Sequence, residues 1–194
     1  MHHGRFATFL LGAWLAGSVL MLWIATESLG VVDDALSSLP GAAAKIIRTA
    51  GKDNARALLR YSAGEQNRFL FEGWELAQMA LGVGLILVLI LGLKNRLLAG
   101  LTGGMLLLVI FAHFRVTSEL SWLGKSIEFT PWAAESLERD LFWRQHAVYS
   151  TIEAIKLLLG SAVAILLFTM RRRKTPVRKE IDAVDHAHHS HVNR

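Results

Sequence analysis

The chain contains no cysteine and only three prolines among its 194 residues. Without cysteine there are no disulfides, no thiolate zinc sites, no iron–sulfur clusters and no covalently attached c-type haem. Motifs of soluble enzymes are missing as well: there is no HExxH, no nucleophile elbow and no dinucleotide fingerprint. Gly124-Lys125-Ser126 resembles the end of a phosphate-binding loop, but the position of the required upstream glycine is Glu119, which rules the loop out. The formal charge of +5 does not indicate nucleic acid, because the basic residues sit beside apolar runs, where a membrane surface explains them. The length is that of one domain.

Charge is also missing from three long stretches and sparse in a fourth, and these four apolar segments set the architecture. Crossing about 30 Å of hydrocarbon at about 1.5 Å per residue takes about 20 helical residues. Between Arg5 and Glu27 lie 21 uncharged residues, between Glu75 and Lys94 lie 18, and between Arg96 and Arg115 another 18. The fourth stretch, Gln145 to Met170, carries His146, Glu153 and Lys156 in its first half and is clean only from Leu157 onward. With 53% hydrophobic residues and a mean hydropathy of +0.37, the composition predicts an all-α protein. Its fold is a four-helix transmembrane bundle with spans at about 6–26, 74–93, 97–114 and 145–170. The first apolar stretch exceeds the 7–15 residues of a signal-peptide core and lacks an A-x-A site, so it reads as a retained helix.

An even number of spans places both termini on one side. That side carries Arg5, the short turn Lys94-Asn95-Arg96 and the run Arg171-Arg172-Arg173-Lys174. Short loops and span-adjacent residues govern orientation, so the expected location is a plasma membrane, with both termini cytoplasmic. Residues 1–174 form the membrane domain. Residues 175–194 read as a disordered cytoplasmic tail, where His186, His188, His189 and His191 are candidate zinc, copper or nickel ligands.

Between the first two spans, Lys45, Arg48, Lys52, Arg56 and Arg60 recur at spacings of 3 and 4. At about 100° per residue they share one helical face. This predicts an amphipathic helix over about 42–62, lying in the headgroup layer between spans 1 and 2. Glu128-Phe129-Thr130-Pro131-Trp132 predicts a break before the last span. Small-residue pairs at Gly12/Ala16, Gly73/Ala77, Gly100/Gly104 and Gly160/Ala164 predict close helix packing, within the bundle or between copies.

The candidate chemistry is a cluster of intramembrane polar residues. On the fourth span His146, Tyr149, Ser150, Glu153, Lys156 and Gly160 fall within about 120° of arc, and Glu153 and Lys156 stand three apart, close enough to pair. On the second, Arg68, Glu72, Glu75, Met79 and Gly82 form a stripe with Gln78 at its edge. His113 ends the third span and Glu27 closes the first. Ionisable groups in hydrocarbon are costly, face the bundle interior and mark function. Two readings of the cluster Glu75, Gln78, His113, His146, Ser150, Glu153 and Lys156 stay open. One is a polar clasp that fixes helix order. The other is an outward-opening site where Glu75 and Glu153 bind a cation or proton and Lys156 supplies the counter-charge.

A third reading places a noncovalent b-type haem between His113 and His146, with Arg115 and Arg144 on its propionates. The segment Phe142-Trp143-Arg144-Gln145-His146-Ala147-Val148-Tyr149-Ser150, continuing to Glu153 and Lys156, resembles bacterial four-span membrane proteins classed as a domain of unknown function. Those are in turn similar to a eukaryotic transmembrane group. The resemblance covers residues 113–165, implies a four-helix inner-membrane protein and supplies no activity. The expected function is a non-enzymatic integral membrane protein acting in small-solute or ion binding, or as an accessory subunit. Its partners would be the lipid bilayer, other membrane subunits or further copies of itself.

Overall fold

A computed structural model describes residues 2–127 and 136–173. The described chain is helical throughout: α1 (His2–Ser37), α2 (Gly41–Ala50), α3 (Lys52–Leu87), α4 (Arg96–Phe111), α5 (Ser118–Ile127) and α6 (Leu137–Arg173). Two π-helical turns, Val88–Gly92 and Ala112–Thr117, continue α3 and join α4 to α5. Four of the resulting rods are long and apolar enough to cross a membrane: His3–Ser28, Lys52–Gly92, Arg96–Ile127 and Leu137–Met170. The proline at 131 and the four tail histidines lie outside the described residues.

The breaks between helices have local causes. Pro40 is held extended, at φ −61° and ψ 149°, immediately before α2, as its ring and missing N–H favour. Gly51 takes φ +85°, a conformation glycine adopts without steric cost, and the chain turns there. The tight turn after α3 places Lys94 at φ +52°. Asn95 then caps α4, its side chain accepting from the Leu98 N–H at 3.1 Å.

The single amphipathic helix expected over 42–62 is therefore two pieces. Lys45 and Arg48 lie on α2, whereas Lys52, Arg56 and Arg60 open α3. A periodicity of 100° carries no information about one residue at positive φ. The headgroup-layer placement also loses its footing, since Lys52–Gly92 is one rod of 41 residues. At about 1.5 Å per residue it is about 60 Å long, roughly twice a hydrocarbon core. α2 sits at the far end of that rod from the Lys94 turn. Part of the basic stripe is also neutralised: Asp33 on α1 receives Arg60 Nη2 at 2.8 Å, and Arg56 Nε approaches its other oxygen at 3.0 Å without hydrogen-bond alignment.

The rods pack in a ring, α1–α3–α4–α6 and back to α1. The pairing is antiparallel at each step. Trp14 meets Gln78 while Ser28 meets Asn67. Glu75 meets Thr117 while Gly82 lies beside Leu106. Glu119 meets Gln145 while Asn95 reaches Met170. Both ends of the described chain thus lie at the turn end of the bundle, and α2 forms an elbow at the other. The interior is apolar toward the turn end, where Leu11, Leu85, Leu89, Leu98 and Val163 pack together. Trp14, Met105 and Val109 fill the middle, and Ala112, Val116, Tyr149 and Ile152 lie toward the elbow. The outside of the rods is equally apolar: Phe9, Leu91, Leu107, Leu158 and Ile165 are all exposed, a surface area of a kind that water-soluble monomers rarely present.

Close packing uses other glycines than the expected pairs. A methyl group at Gly100, Gly104, Gly73 or Gly12 would meet nothing within 4 Å, and only Gly160 of the expected set is tight, against Leu15 at 2.6 Å and Met105 at 3.1 Å. Gly17 instead provides the notch that receives the Trp74 indole, and a methyl group at Gly82 would come within 3.0 Å of the Trp14 ring. Gly17→Ala forces a rigid ring to move and should cost about 1–3 kcal/mol in reversible unfolding. Gly104→Ala should be neutral or slightly stabilising by the same measurement. Equal losses for both would contradict the packing described.

The α1–α3 latch yields a second prediction. Hydrogen bonding from Arg60 holds the Asp33 carboxyl below its ordinary value of 3.8, with Arg60 and Arg56 charges assisting against partial desolvation. A depressed folded value means that the latch contributes fully above pH 3.8 and is lost as pH falls through the lower folded value. Asp33→Asn should therefore cost a small, salt-sensitive amount of stability at neutral pH. That deficit should vanish in melting curves recorded under strong acid.

Candidate functional site

Each rod turns one polar or aromatic group to the same region of the interior, and the helix period explains which. On α3, Glu75, Gln78, Gly82 and Leu85 are the buried residues, at steps of 3, 4 and 3. On α6, Tyr149, Ile152, Lys156, Gly160 and Val163 are buried, at steps of 3 or 4. On α1, Ala7, Leu11, Trp14, Ser18 and Met21 keep the same rhythm. Steps of this kind hold one face inward.

The Lys156 ammonium, 1% exposed, donates to Glu153 Oε1 at 2.6 Å and to Gln78 Oε1 at 2.7 Å. The indole N–H of Trp14 donates to the same Gln78 oxygen at 3.2 Å. Two donors on Oε1 fix the orientation of the amide, leaving its Nε2 hydrogens pointed elsewhere, buried and without a hydrogen-bond acceptor in the protein. One turn toward the elbow, Glu75 is fully buried. Its Oε1 accepts from the Thr117 hydroxyl at 2.6 Å, and its Oε2 lies 2.8 Å from His113 Nδ1.

Both partners of Glu75 belong to the π-helical turn Ala112–Thr117. A π-turn inserts a residue into a helix, and such insertions concentrate at functional sites. Here the first and last side-chain donors of the turn each take one oxygen of the same carboxylate. The Tyr149 hydroxyl connects the two halves: it lies within interaction range of both Glu75 and Glu153, although neither contact satisfies hydrogen-bond geometry. Phe71 packs edge-on against its ring at 5.8 Å.

Of the residues expected to cluster, the structure brings together Glu75, Gln78, His113, Glu153 and Lys156. His146 and Ser150 do not join them. The His146 ring is exposed, stacked on Phe142 at 6.1 Å and edge-on to Trp143 at 5.7 Å, and Ser150 donates to the backbone carbonyl of His146 at 2.9 Å. The inward arc of α6 is narrower on that side than the helical period alone suggests. The packing of α6 centres on Ile152, between Tyr149 and Lys156, and rotates His146 and Ser150 outward. With His113 Nδ1 held by Glu75 and His146 packed on surface aromatics, a haem shared by the two histidines has no support.

Trp14, Thr117 and Tyr149 complete the site. Tyr149 stood on the recognised stripe of the fourth span. Thr117 follows His113 by four residues, a same-face spacing that a span assumed to end at Phe114 hides. Trp14 carried no signal, since a tryptophan in an apolar run looks like any other core residue. Toward the elbow a polar rim continues: Arg68 to Glu65 at 2.7 Å, Lys125 to Glu65 at 3.4 Å, and Gln145 to Glu119 at 2.6 Å. Among the described residues, no group of three or more histidine, aspartate or glutamate side chains is arranged to hold a metal ion.

No protein-family model, curated protein or solved structure matches the chain.

Removing one member of a buried ion pair leaves an uncompensated charge, typically at a cost of about 3–5 kcal/mol, whereas removing both is far milder. Lys156→Met should destabilise strongly, and Glu153→Gln less because that side chain is 20% exposed. The double variant should recover most of the Lys156→Met loss in a thermal unfolding cycle. Additive losses would mean that the two charges do not interact.

Proposed function

We propose that this protein is a non-enzymatic four-span protein of a bacterial inner membrane, with both termini cytoplasmic, whose buried network handles a small ion. It does so alone, as a homo-oligomer or as an accessory subunit of a membrane complex. The observation that carries this reading is the network itself. Glu75 and Lys156, both almost completely buried, sit inside a bundle whose outer surface is apolar, joined to groups from all four rods. A clasp needs only neutral partners. Two carboxylates and an ammonium impose a desolvation cost that apolar packing of equal volume avoids, which favours a site that exchanges charge.

Topology supports the orientation. The turn end carries Lys94 and Arg96 in its short loop and Arg171, Arg172 and Arg173 at the close of α6, matching the rule that short basic loops stay in the cytoplasm. Counting about 20 residues from that end places Glu75 and His113 near the opposite boundary of the hydrocarbon. The network then opens outward, and the elbow half projects beyond the bilayer. The resemblance of residues 113–165 to four-span bacterial proteins is in keeping with this.

The absence of native cysteine makes the topology directly testable. Asp53→Cys should react with a membrane-impermeant maleimide on intact cells, and Lys94→Cys only after permeabilisation. Reaction of both from the same side would eliminate the four-span arrangement. For ion handling, melting temperatures in nanodiscs should respond to pH or to replacement of Na+ and K+ by choline. The response should be lost in Glu75→Gln. A wild-type melting curve indifferent to every ion would reduce the network to a clasp.

A further inference from the structure

The network has an odd count of charges. The titratable and polar groups facing Glu75 come from every neighbouring rod: His113 and Thr117 from the π-turn, Tyr149, Glu153 and Lys156 from α6, and Gln78, with Trp14 bonded to it, on the deeper side. With Glu75 itself counted, two of the groups are carboxylates, one is an ammonium and one an imidazole, and the rest are neutral. Lys156 lies 2.6 Å from Glu153, and the two cancel. Glu75 has only an imidazole and a hydroxyl in hydrogen-bond contact. A charged Glu75 beside a neutral His113 would leave one uncompensated negative charge in a fully buried position, which the surrounding apolar medium opposes.

We infer that the network is a binding site for a single proton, held by the Glu75–His113 pair across their 2.8 Å contact and exchanged with water through the His113 ring. This deepens the ion-handling reading and rests on it, naming the ion. Whether the proton resides on the carboxyl or makes the imidazole cationic, the pair becomes neutral and the interior balances. The geometry also assigns the route. The His113 side chain is 22% exposed whereas that of Glu75 is 0% exposed, so the imidazole is the member of the pair that reaches the surface of the bundle. Thr117 donates to the carboxylate oxygen that His113 does not contact. It therefore acts as a positioning residue, holding Oε2 toward the ring. The Tyr149 hydroxyl lies within interaction range of both Glu75 and Glu153.

Proton binding by the purified full-length protein in phosphatidylcholine nanodiscs tests this. It would be measured by titration across about pH 5–10, an interval above the ordinary carboxyl value that spans the ordinary imidazole value. Difference infrared spectra would be recorded in parallel. Wild type should bind one proton per chain more than Glu75→Gln, which keeps the shape and both contacts of the side chain but is permanently neutral. His113→Gln should still bind one proton, now seen wholly as a carboxylic acid band, and should exchange it more slowly in pH-jump measurements. Thr117→Val should leave the proton count at one and shift its midpoint. If Glu75→Gln fails to fold, the His113→Gln spectrum carries the test alone. Equal counts in wild type and Glu75→Gln would overturn the proposal. So would loss of the extra proton when Na+ replaces choline at fixed pH, since a metal cation would then be the occupant while ion handling itself stands. Failure of every ion to shift stability, by contrast, would remove the underlying reading.

Discussion

A lysine ammonium with almost no access to water sets the terms for the rest of this structure. Lys156 can remain charged only if acceptors surround it, and the two it has, Glu153 Oε1 and Gln78 Oε1, come from its own rod and from α3. Gln78 in turn needs its oxygen, not its amide hydrogens, facing the lysine, and the Trp14 indole donating to the same atom reinforces that choice. Helices α1, α3 and α6 are thereby registered to one another by one charge. The fourth rod enters through Glu75, a single turn along α3, whose two oxygens fix the position of the Ala112–Thr117 turn. Apolar packing above and below fills volume, but among Leu, Val and Ala many registers are nearly equivalent. The polar network admits one.

The same groups explain why the site lies where it does. Toward the turn end the interior is mainly aliphatic, with Leu85, Leu89 and Val163 packed together and the buried Thr102 on α4. Toward the elbow the interior meets paired polar and charged groups at the surface: Arg68 with Glu65, Gln145 with Glu119, Arg56 and Arg60 with Asp33. The network occupies the transition between them. Its half-buried members, His113 and Glu153, flank the almost completely buried Glu75 and Lys156.

Much of this was legible in the amino-acid order. Three uncharged runs of near-membrane length, a fourth apolar run with a polar first half, a three-residue turn and the i, i+3 relation of Glu153 and Lys156 define the helices and the central pair with no further information. The inward face of α3 follows from Glu75, Gln78 and Gly82 alone. What the order conceals is rotation and extent. Whether His146 or Ile152 faces inward depends on neighbours that a helical wheel does not contain. A rod that continues through a π-turn from Phe111 into α5 looks as if it stops at the first charge, and this hid Thr117. Gly51 divides a stripe of cations whose spacing is unbroken. Small-residue motifs misled for a related reason: a glycine shows that close approach is permitted, and only the bulky residue opposite, as Trp74 is to Gly17, shows that it occurs.

That notch restricts how the bundle can move. With the Trp74 indole seated against the backbone of Gly17, α1 and α3 are keyed like a pin in a slot, and neither rod can slide lengthwise past the other without first ejecting the ring. Piston strokes between this pair are barred, whereas rocking about the keyed point is not. The keyed ring lies one residue from Glu75, so the same seat holds the carboxylate at a fixed height along α1.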